Sequence, residues 1–300
     1  MDRIQRNKNT RGIFCTLLGG TLWGFSGACS DYLFTNYTVD SGWLTVVRML
    51  GAGTVLTAVN LLGGRRRAVE IWKDGRDAVQ LVIFALLGLA FSQYAYLTSI
   101  DHSNAGTATV LQYLGPVLIM ALVCVKNRRL PDRREGIAIF LAVGGTYLLA
   151  THGNPRTMVL SRLGLIWGLL SAVSLALYTL LPAKIIPRWG SMIVTGWAML
   201  LGGAEMALVS RVWTIPVQLD VCGWLAVSGV VVAGTLLAYT LYLQGVADVG
   251  AVRASMLASV EPVSATVISA LWLGTRFVWI DLAGFAAIMA TVFLLAKKEK

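Results

Sequence analysis

Apolar residues occur along this 300-residue chain in long stretches separated by short polar segments. A helix needs about 20 mostly apolar residues to cross a membrane. Ten stretches reach or approach this length, and the fifth and tenth are the shortest. We predict spans at Ile13–Phe34, Gly42–Leu62, Val79–Ser99, Ala105–Val125, Gly136–Ala150, Leu163–Leu181, Met192–Ser210, Gly223–Leu243, Ala254–Leu273 and Ile280–Ala296. The pattern therefore predicts an all-α integral membrane protein.

The second half of the chain resembles the first. Tyr96–Ala150 aligns with Tyr242–Ala296 without a gap, and Pro116 coincides with Pro262. The first span of the second half comes five spans after the first span of the chain, and because five is odd, the second copy crosses the membrane in the opposite direction. Inverted repeats are the usual construction of secondary transporters, with the substrate site where the halves meet. We predict a 5+5 inverted repeat around a central cavity, with one repeat in residues 1–150 and the other in residues 151–300.

Composition and charge support a membrane protein. Only 13% of the residues are charged, against about 25% in a soluble domain, and the mean hydropathy is +0.70. The net charge of +10 is compatible with nucleic-acid binding, but Lys and Arg concentrate in alternate loops. Such loops stay cytoplasmic. We therefore predict a multi-pass protein of the cell (inner or plasma) membrane, with both termini cytoplasmic, lipid around it and no nucleic-acid partner. The basic segments are Met1–Arg11, Arg65–Arg76, Lys126–Arg134, Lys184–Arg188, Arg253 and Lys297–Lys300.

The N-terminal segment resembles a signal peptide, because a basic stretch precedes an apolar one. The apolar stretch is long, carries Trp23 and lacks a small-residue cleavage site, so we interpret it as a retained first span. The four cysteines have no metal-like spacing. We find no metal-ligand cluster, cofactor motif or phosphate-binding loop, and therefore expect no metal, no cofactor and no direct use of ATP.

Three ionisable residues inside predicted spans are candidates for function, because charges are costly within a bilayer. Glu261 precedes Pro262, and proline frees a carbonyl within a helix. Glu261 is a candidate for binding a cationic or amine-bearing substrate or for carrying a coupling proton; the alternative is a structural ion pair with Arg48 or another group. We interpret Arg48 as a structural or gating charge. Glu205, toward the outer end of its span, is a candidate for the same role.

Aromatic and amide side chains occupy similar places in the two halves. Gln93 and Tyr96 are three residues apart and share a helix face, as do Tyr239 and Tyr242. Two such faces would wall a central pocket, and aromatic faces attract protonated or quaternary amines. We favour these four residues over Tyr94 and Tyr113. Packing or helix–helix hydrogen bonding is the alternative for each. The further candidates are Trp23, Gln112 and Tyr178.

An enzymatic alternative comes from Gly24-Phe25-Ser26-Gly27, which matches the motif of rhomboid-type intramembrane serine proteases. Such a protease needs a histidine on a neighbouring span. Both histidines, His102 and His152, lie in or near predicted external loops. The glycines also suit close helix packing, so we predict no catalytic residues and no enzyme.

Four short motifs resemble the EamA family of the drug/metabolite transporter superfamily. They are Leu22-Trp23-Gly24, Val46-Val47-Arg48, Ser174-Leu175-Ala176-Leu177-Tyr178 and Glu261-Pro262. The resemblance covers the whole chain as two five-span domains. It implies alternating-access movement of small metabolites, and in choline-type relatives an aromatic cage at positions similar to Trp23, Tyr96 and Tyr242. Many relatives end the ninth span in Gly-Glu, where this chain has Gly274-Thr275, so a charge at that place is not expected here.

We therefore predict a secondary active transporter for a small organic metabolite, most simply an exporter of an amino acid or amine. Its substrate-binding residues would be those named above, with Glu261 as the charge partner and protons as a candidate coupling ion. An uncoupled facilitator, an importer of a choline-like cation and a channel remain alternatives within transport. The prolines at 116 and 262 are predicted helix breaks beside the site.

Overall fold

The computed structural model describes residues 2–63, 67–154 and 158–296, and every regular element in these ranges is helical. The basic residues predicted to lie in cytoplasmic loops at 64–66 and 297–300 fall outside the described residues. The α-helices are α1 Asp2–Asn36, α2 Ser41–Leu62, α3 Arg67–Glu70, α4 Gly75–Ile83, α5 Phe91–Asp101, α6 Ala105–Gln112, α7 Gly115–Lys126, α8 Arg133–Thr151, α9 Arg162–Leu180, α10 Ile186–Trp189, α11 Ser191–Val209, α12 Val221–Ser228, α13 Ala238–Val249, α14 Ala251–Ala258, α15 Val260–Trp272 and α16 Trp279–Ala296.

Polar residues in the gaps between apolar stretches begin several helices. The side chain of Asp40 accepts a hydrogen bond from the backbone N–H of Trp43 at 3.0 Å and so caps α2. Asp132 and Glu135 form a reciprocal capping box at the start of α8. Such caps satisfy N–H groups that the first helical turn leaves free. The same polar residues that interrupt the hydrophobic pattern therefore define the helix starts.

The third and eighth predicted spans are each one continuous helix with a π-helical segment in the middle. The segment Phe84–Ala90 joins α4 to α5, and Gly229–Leu237 joins α12 to α13. The gap-free alignment of the two halves, extended toward the N-terminus, places these segments opposite each other. Single π-helical turns are frequent at functional sites, because they shift side chains relative to a regular helix. Both halves therefore carry the same irregularity at the same place.

The fourth and ninth predicted spans are each divided into two helices. α6 ends at Gln112 and α7 begins at Gly115, while α14 ends at Ala258 and α15 begins at Val260. Pro116 and Pro262 lie in the first turn of the second helix, a position that tolerates proline. Each break thus lies a few residues before its proline.

The two halves pack as inverted copies. Helix α2 and its counterpart α11 run antiparallel, since Gly53 lies against Met199 and Gly196 lies against Thr57. Helix α1 packs on α13 and α15, and its counterpart α9 packs on α5 and α7. Counterpart helices that face each other in opposite directions require an inverted second half, as the sequence predicts.

Within the described residues, seven helical segments are long and apolar enough to cross a membrane, and α15 and α16 are shorter apolar helices. Large apolar side chains such as Phe140 (76% exposed) and Leu271 (84%) cover the outside of the bundle. Lipid is the solvent that suits such a surface. The chain is a multi-pass membrane protein, and the count of ten spans remains a prediction.

Two apolar clusters form much of the interior. The Phe84 cluster is built around Ile71, Leu81, Phe84, Ile185, Val194 and Ala198. The Leu33 cluster is built around Cys29, Leu33, Leu44, Tyr96, Ala226 and Val230. Each combines residues from both halves of the chain, so neither half completes its core alone.

Candidate functional site

Aromatic rings from several helices meet in the interior of the bundle. The Trp23 ring of α1 lies 5.3 Å from Tyr239 and 5.1 Å from Tyr242, both in α13. Tyr239 and Tyr178 of α9 pack against the same apolar cluster, and the Tyr178 ring lies 5.6 Å from Phe84. We call these five residues the aromatic cluster. Their π-faces are suited to contact with a cationic or apolar group.

Two glycines bring Trp23 next to the break in the ninth span. A Cβ at Gly24 would lie 2.8 Å from the carbonyl oxygen of Glu261, and one at Gly20 would lie 3.1 Å from that of Ala258. Any side chain at Gly24 would force α1 away from α15. The small-xxx-small spacing of these glycines therefore sets the close helix contact that the sequence indicates.

Glu261 is held by a tyrosine from the other half of the protein. Tyr113 Oη lies 3.1 Å from Glu261 Oε2 and 3.2 Å from the carbonyl oxygen of Ala258. Ala258 is four residues before Pro262, which has no N–H to donate to that carbonyl. Tyr113 therefore supplies the donor that the proline removes and holds the acid at the same time. Spacing along the helix disfavours Tyr113, so this contact is one that the sequence does not reveal.

The equivalent place in the first half lacks this arrangement. In the gap-free alignment Gly115 stands opposite Glu261, and Ser259 stands opposite Tyr113. Ser259 Oγ is enclosed and makes no hydrogen bond with any described residue. The acid and its donor therefore belong to one side of an otherwise repeated scaffold.

Arg48 is buried, with 6% of its surface exposed. Its Nε donates to Thr235 Oγ1 at 3.0 Å, and Thr235 in turn donates to the carbonyl of Val230 within the π-helical segment. Among the described residues, no carboxylate forms a salt bridge with Arg48. The predicted alternative of an ion pair between Arg48 and Glu261 is therefore not formed.

The two candidate amides make no hydrogen bond with any residue that the structure describes. Gln93 is buried with 9% exposed, and Gln112 is half-buried at the end of α6. Their donors and acceptors are therefore not used for contacts between helices. Tyr96 differs, because its hydroxyl is hydrogen-bonded to Thr109 Oγ1 at 2.8 Å and its ring belongs to the Leu33 cluster. Among the ring contacts of the described residues, none joins Tyr96 to Trp23.

Two further acids lie within helices. Glu205 of α11 is half-buried, and its Oε2 is enclosed without a hydrogen-bond partner among the described residues. Asp31 of α1 is 7% exposed, and its Oδ2 accepts the backbone N–H of Ala105 at 3.0 Å, which helps to begin α6. Asp31 is not among the candidates predicted from the sequence, although its position inside a predicted apolar span is the signal that identifies such residues.

The protease alternative is wrong. Ser26 is 1% exposed, and its Oγ makes no hydrogen bond with a described residue. His102 is bonded to the carbonyl of Thr98, and His152 to Asp281, so neither activates the serine. Within the described residues, no three His, Cys, Asp or Glu side chains are grouped in the manner of a metal site.

The site combines a carboxylate, a guanidinium and aromatic surface, and the two charged groups are not bonded to each other. Glu261 has one carboxylate oxygen, and Arg48 has its terminal N–H groups, without a hydrogen bond to a described residue. A ligand carrying both charges would find complementary partners here. The two surface cavities described, beside Leu219–Ser228 and beside Arg134 and Phe293, include no residue of the aromatic cluster. The central cavity therefore remains a prediction.

Comparison with protein families gives the same match twice. Residues 10–151 and 162–297 each match the model of the EamA-like transporter family. Together the two matches cover nearly the whole chain.

Several curated relatives are named as transporters. An uncharacterised inner membrane transporter of Salmonella typhimurium, YicL, is 35% identical over 294 residues, which cover 95% of each chain. A Synechocystis transporter is 22% identical over 99% of this chain and 93% of its own length. A WAT1-related chloroplastic protein of Arabidopsis thaliana is 22% identical over 84% of this chain and 62% of its own.

The fold also occurs among solved structures. One crystal structure superposes with a TM-score of 0.62 over 95% of this chain and 99% of the other, at 19% sequence identity. At this identity the likeness concerns the fold alone.

Proposed function

The chain belongs to the EamA-like transporter family, of the drug/metabolite transporter superfamily, and from this premise we propose that it is a secondary active transporter that exports an amino acid or amine by alternating access. The Salmonella relative is named an inner membrane transporter. We place this chain in the same kind of membrane, with both termini cytoplasmic and the repeats in residues 1–150 and 151–300. The distribution of Lys and Arg among the loops supports that orientation.

One observation carries the substrate class. Glu261 and Arg48 lie within the bundle, and neither is neutralised by the other or by another described side chain. A buried charge without a partner is costly, and a ligand of opposite charge removes that cost. An amino acid presents an ammonium to Glu261 and a carboxylate to Arg48, while the aromatic cluster receives its side chain. This favours an amino acid over a simple amine.

Arg48 also favours this proposal over the choline-like alternative. A quaternary ammonium ion needs aromatic faces and an acid but leaves a buried guanidinium without a partner. Tyr96, one of the three cage positions in choline-type relatives, is bonded to Thr109 in the Leu33 cluster. Both observations favour a substrate with a carboxylate.

The test is counterflow of labelled substrate in proteoliposomes, with amino acids and the amines that their decarboxylation yields. We expect the wild type to transport the amino acid. Arg48→Gln should raise the KM for the amino acid at least about tenfold, since a hydrogen bond to a charged group contributes about 1.5–3 kcal/mol, but should leave the amine unaffected. Glu261→Gln should raise the KM for both the amino acid and the amine. Arg211→Gln, an exposed arginine in a loop, is the matched control.

Unchanged KM values in Arg48→Gln and Glu261→Gln would show that neither charge contacts the substrate. Unitary currents without saturation would indicate a channel instead.

Glu261 is also the proposed carrier of a coupling proton. It is the acid beside the aromatic cluster, and a proton gradient needs a group that can bind and release a proton in the membrane interior. We expect Glu261→Gln to abolish transport driven by a pH gradient while exchange without a gradient continues. If a pH gradient still drives transport by this variant at the wild-type rate, the uncoupled or differently coupled alternative holds.

A further inference from the structure

At one end of the bundle, an arginine lies between two carboxylates and joins two parts of the chain. Arg188 of α10 has Nη1 2.7 Å from Asp77 Oδ2 and Nη2 3.3 Å from Asp74 Oδ2. Trp189 Nε1 donates to the same oxygen of Asp77 at 2.6 Å, and the guanidinium lies 5.9 Å from the Trp189 ring centre. We call these four residues the Arg188 contact. It joins the connection between α9 and α11 to the start of α4.

A simpler bond involves the start of α12. Tyr37, which follows α1, donates its hydroxyl to Asp220 Oδ1. The same carboxylate oxygen accepts the backbone N–H of Gly223 at 2.8 Å and so caps α12. We call Tyr37 and Asp220 the Tyr37 contact. It joins the connection between α1 and α2 to the eighth predicted span.

The two contacts are counterparts in the inverted repeat. Asp74 caps the helix that begins the third predicted span, and Asp220 caps the helix that begins the eighth. Their partners also correspond, since Tyr37 lies between the first and second spans of its half and Arg188 between the first and second spans of the other. Because the second half is inverted, the contacts lie at opposite ends of the bundle.

An apolar cluster lies behind each contact. Tyr37 packs against the Leu33 cluster, and Trp189 packs against the Phe84 cluster. The aromatic cluster touches the Phe84 cluster through Tyr178 and Tyr239. Each end of the bundle therefore combines one apolar cluster with one polar contact.

We propose that the Tyr37 contact and the Arg188 contact are two latches that close opposite ends of the transport path, and that the Tyr37 latch opens more readily. This inference rests on the proposed alternating-access function, in which one end opens while the other stays closed. The bonds of both latches are formed in this structure. By the distribution of basic loops, the Arg188 end is the predicted cytoplasmic end.

The bonding at the two ends is unequal. Arg188 contacts two carboxylates, and Asp77 has only 7% of its side chain exposed and a second donor in Trp189. Gln80 and Leu181 add a bond between the same regions, from Gln80 Nε2 to the carbonyl of Leu181 at 2.8 Å. At the Tyr37 end, one side-chain bond among the described residues joins the α1–α2 connection to the start of α12, and it is the bond from Tyr37 to Asp220. Three bonds to two carboxylates hold the Arg188 end more firmly than the single bond holds the Tyr37 end.

The carboxylates of Asp74 and Asp220 are ionised near neutral pH. The Tyr37 hydroxyl, followed by the Gly223 N–H, holds the pKa of Asp220 below its ordinary value. For Asp74 the backbone N–H of Asp77 is the larger cause of a lowered pKa, and Arg188 adds to it. These two acceptors therefore stay charged without a change in protonation.

The test measures thiol accessibility from each end in the purified full-length protein. Cys29 is 1% exposed and belongs to the Leu33 cluster, so it reports on the Tyr37 end. A background with Cys15→Ala, Cys124→Ala and Cys222→Ser retains Cys29 alone. A second background adds Cys29→Ala and Val194→Cys, which places the thiol in the Phe84 cluster at the Arg188 end.

With both latches intact, we expect maleimide to label Cys29 faster than the thiol introduced by Val194→Cys. Tyr37→Phe should raise the rate at Cys29 about fivefold, the effect of about one net hydrogen bond, and lower it at position 194. Arg188→Gln should do the reverse. Tyr147→Phe is the matched control, because it also removes one hydroxyl bond, to the carbonyl of Gly153, and neither residue belongs to a latch.

Labelling that is unchanged in both latch variants would overturn the proposal. So would a rise at both reporters together, which indicates general loosening rather than alternating closure. Faster labelling at position 194 than at Cys29 would overturn the proposed order of opening. Labelling needs no substrate, so reciprocal changes without any transport would reject the proposed function and keep the latches.

Discussion

Replacing Tyr113 with Phe removes one oxygen atom and leaves the ring in place. The hydroxyl lies 3.1 Å from Glu261 Oε2 and 3.2 Å from the carbonyl oxygen of Ala258. Because Pro262 has no N–H, Ala258 has no replacement donor from its own helix. The substitution therefore leaves both acceptors without their described partner.

The size of the effect follows from the number of hydrogens involved. Leaving a buried acceptor unsatisfied costs about 1–3 kcal/mol, and a hydrogen bond to a charged group contributes about 1.5–3 kcal/mol. One hydroxyl hydrogen serves the two acceptors, so these costs do not add. Phe retains the volume of the ring and opens no large cavity. We expect a loss of about 2 kcal/mol in stability.

The assay is thermal unfolding of the detergent-purified protein, paired with substrate counterflow. We expect Tyr113→Phe to unfold several degrees below the wild type and to show a raised KM, because Glu261 is no longer held in position. Tyr94→Phe is the matched control, since the Tyr94 hydroxyl makes no hydrogen bond with a described residue. Equal melting temperatures for the wild type and Tyr113→Phe would refute the reasoning.

Three further predictions concern the scaffold. Gly24→Ala should lower the melting temperature by the equivalent of about 1–3 kcal/mol, because its Cβ would meet the backbone of α15. Gly144→Ala should be neutral or stabilising, because nothing lies within 4 Å of the added atom. Equal effects would show that the α1–α15 contact can relax. Asp132→Ala should cost about 1 kcal/mol through loss of the α8 cap, while Asp132→Asn should largely retain it, and a similar loss in both would point to the charge rather than the cap. The Tyr37 hydroxyl lowers the pKa of Asp220, so this bond stabilises fully above about pH 4 and is lost as the pH falls through the pKa of folded Asp220. The melting difference between the wild type and Tyr37→Phe should therefore shrink below that pH, and a constant difference would contradict this assignment.

The aromatic cluster shows how far helical spacing reaches. Tyr239 and Tyr242 are three residues apart, and both rings meet Trp23. Gln93 and Tyr96 have the same spacing, but Tyr96 bonds to Thr109 instead of joining the cluster. Spacing determines that two side chains share a face of their own helix. It does not determine which neighbouring helix that face meets.

Tyr113 shows the opposite failure. Its hydroxyl reaches Glu261 across the boundary between the two halves, where the fourth and ninth spans are both interrupted. An interruption changes the direction in which the following side chains point, so periodicity counted along an unbroken helix misplaces them. The contact depends on two breaks facing each other.

The sequence by itself determined that the chain is an all-α membrane protein with an inverted repeat. Apolar length, basic loops and the gap-free internal match are local properties, and bilayer thickness and loop charge act on them directly. It also drew attention to Glu261 and Arg48, because an ionisable residue stands out in an apolar span.

Only the tertiary structure decided the partners of those charges. It separated Arg48 from Glu261, gave Arg48 to Thr235 of a π-helical segment, and gave Glu261 to Tyr113. It likewise placed Asp74 with Arg188 and Asp220 with Tyr37. The physical reason is that each of these bonds joins one half of the chain to the other. Their distances are set by how two inverted bundles pack, which no pattern within either half contains.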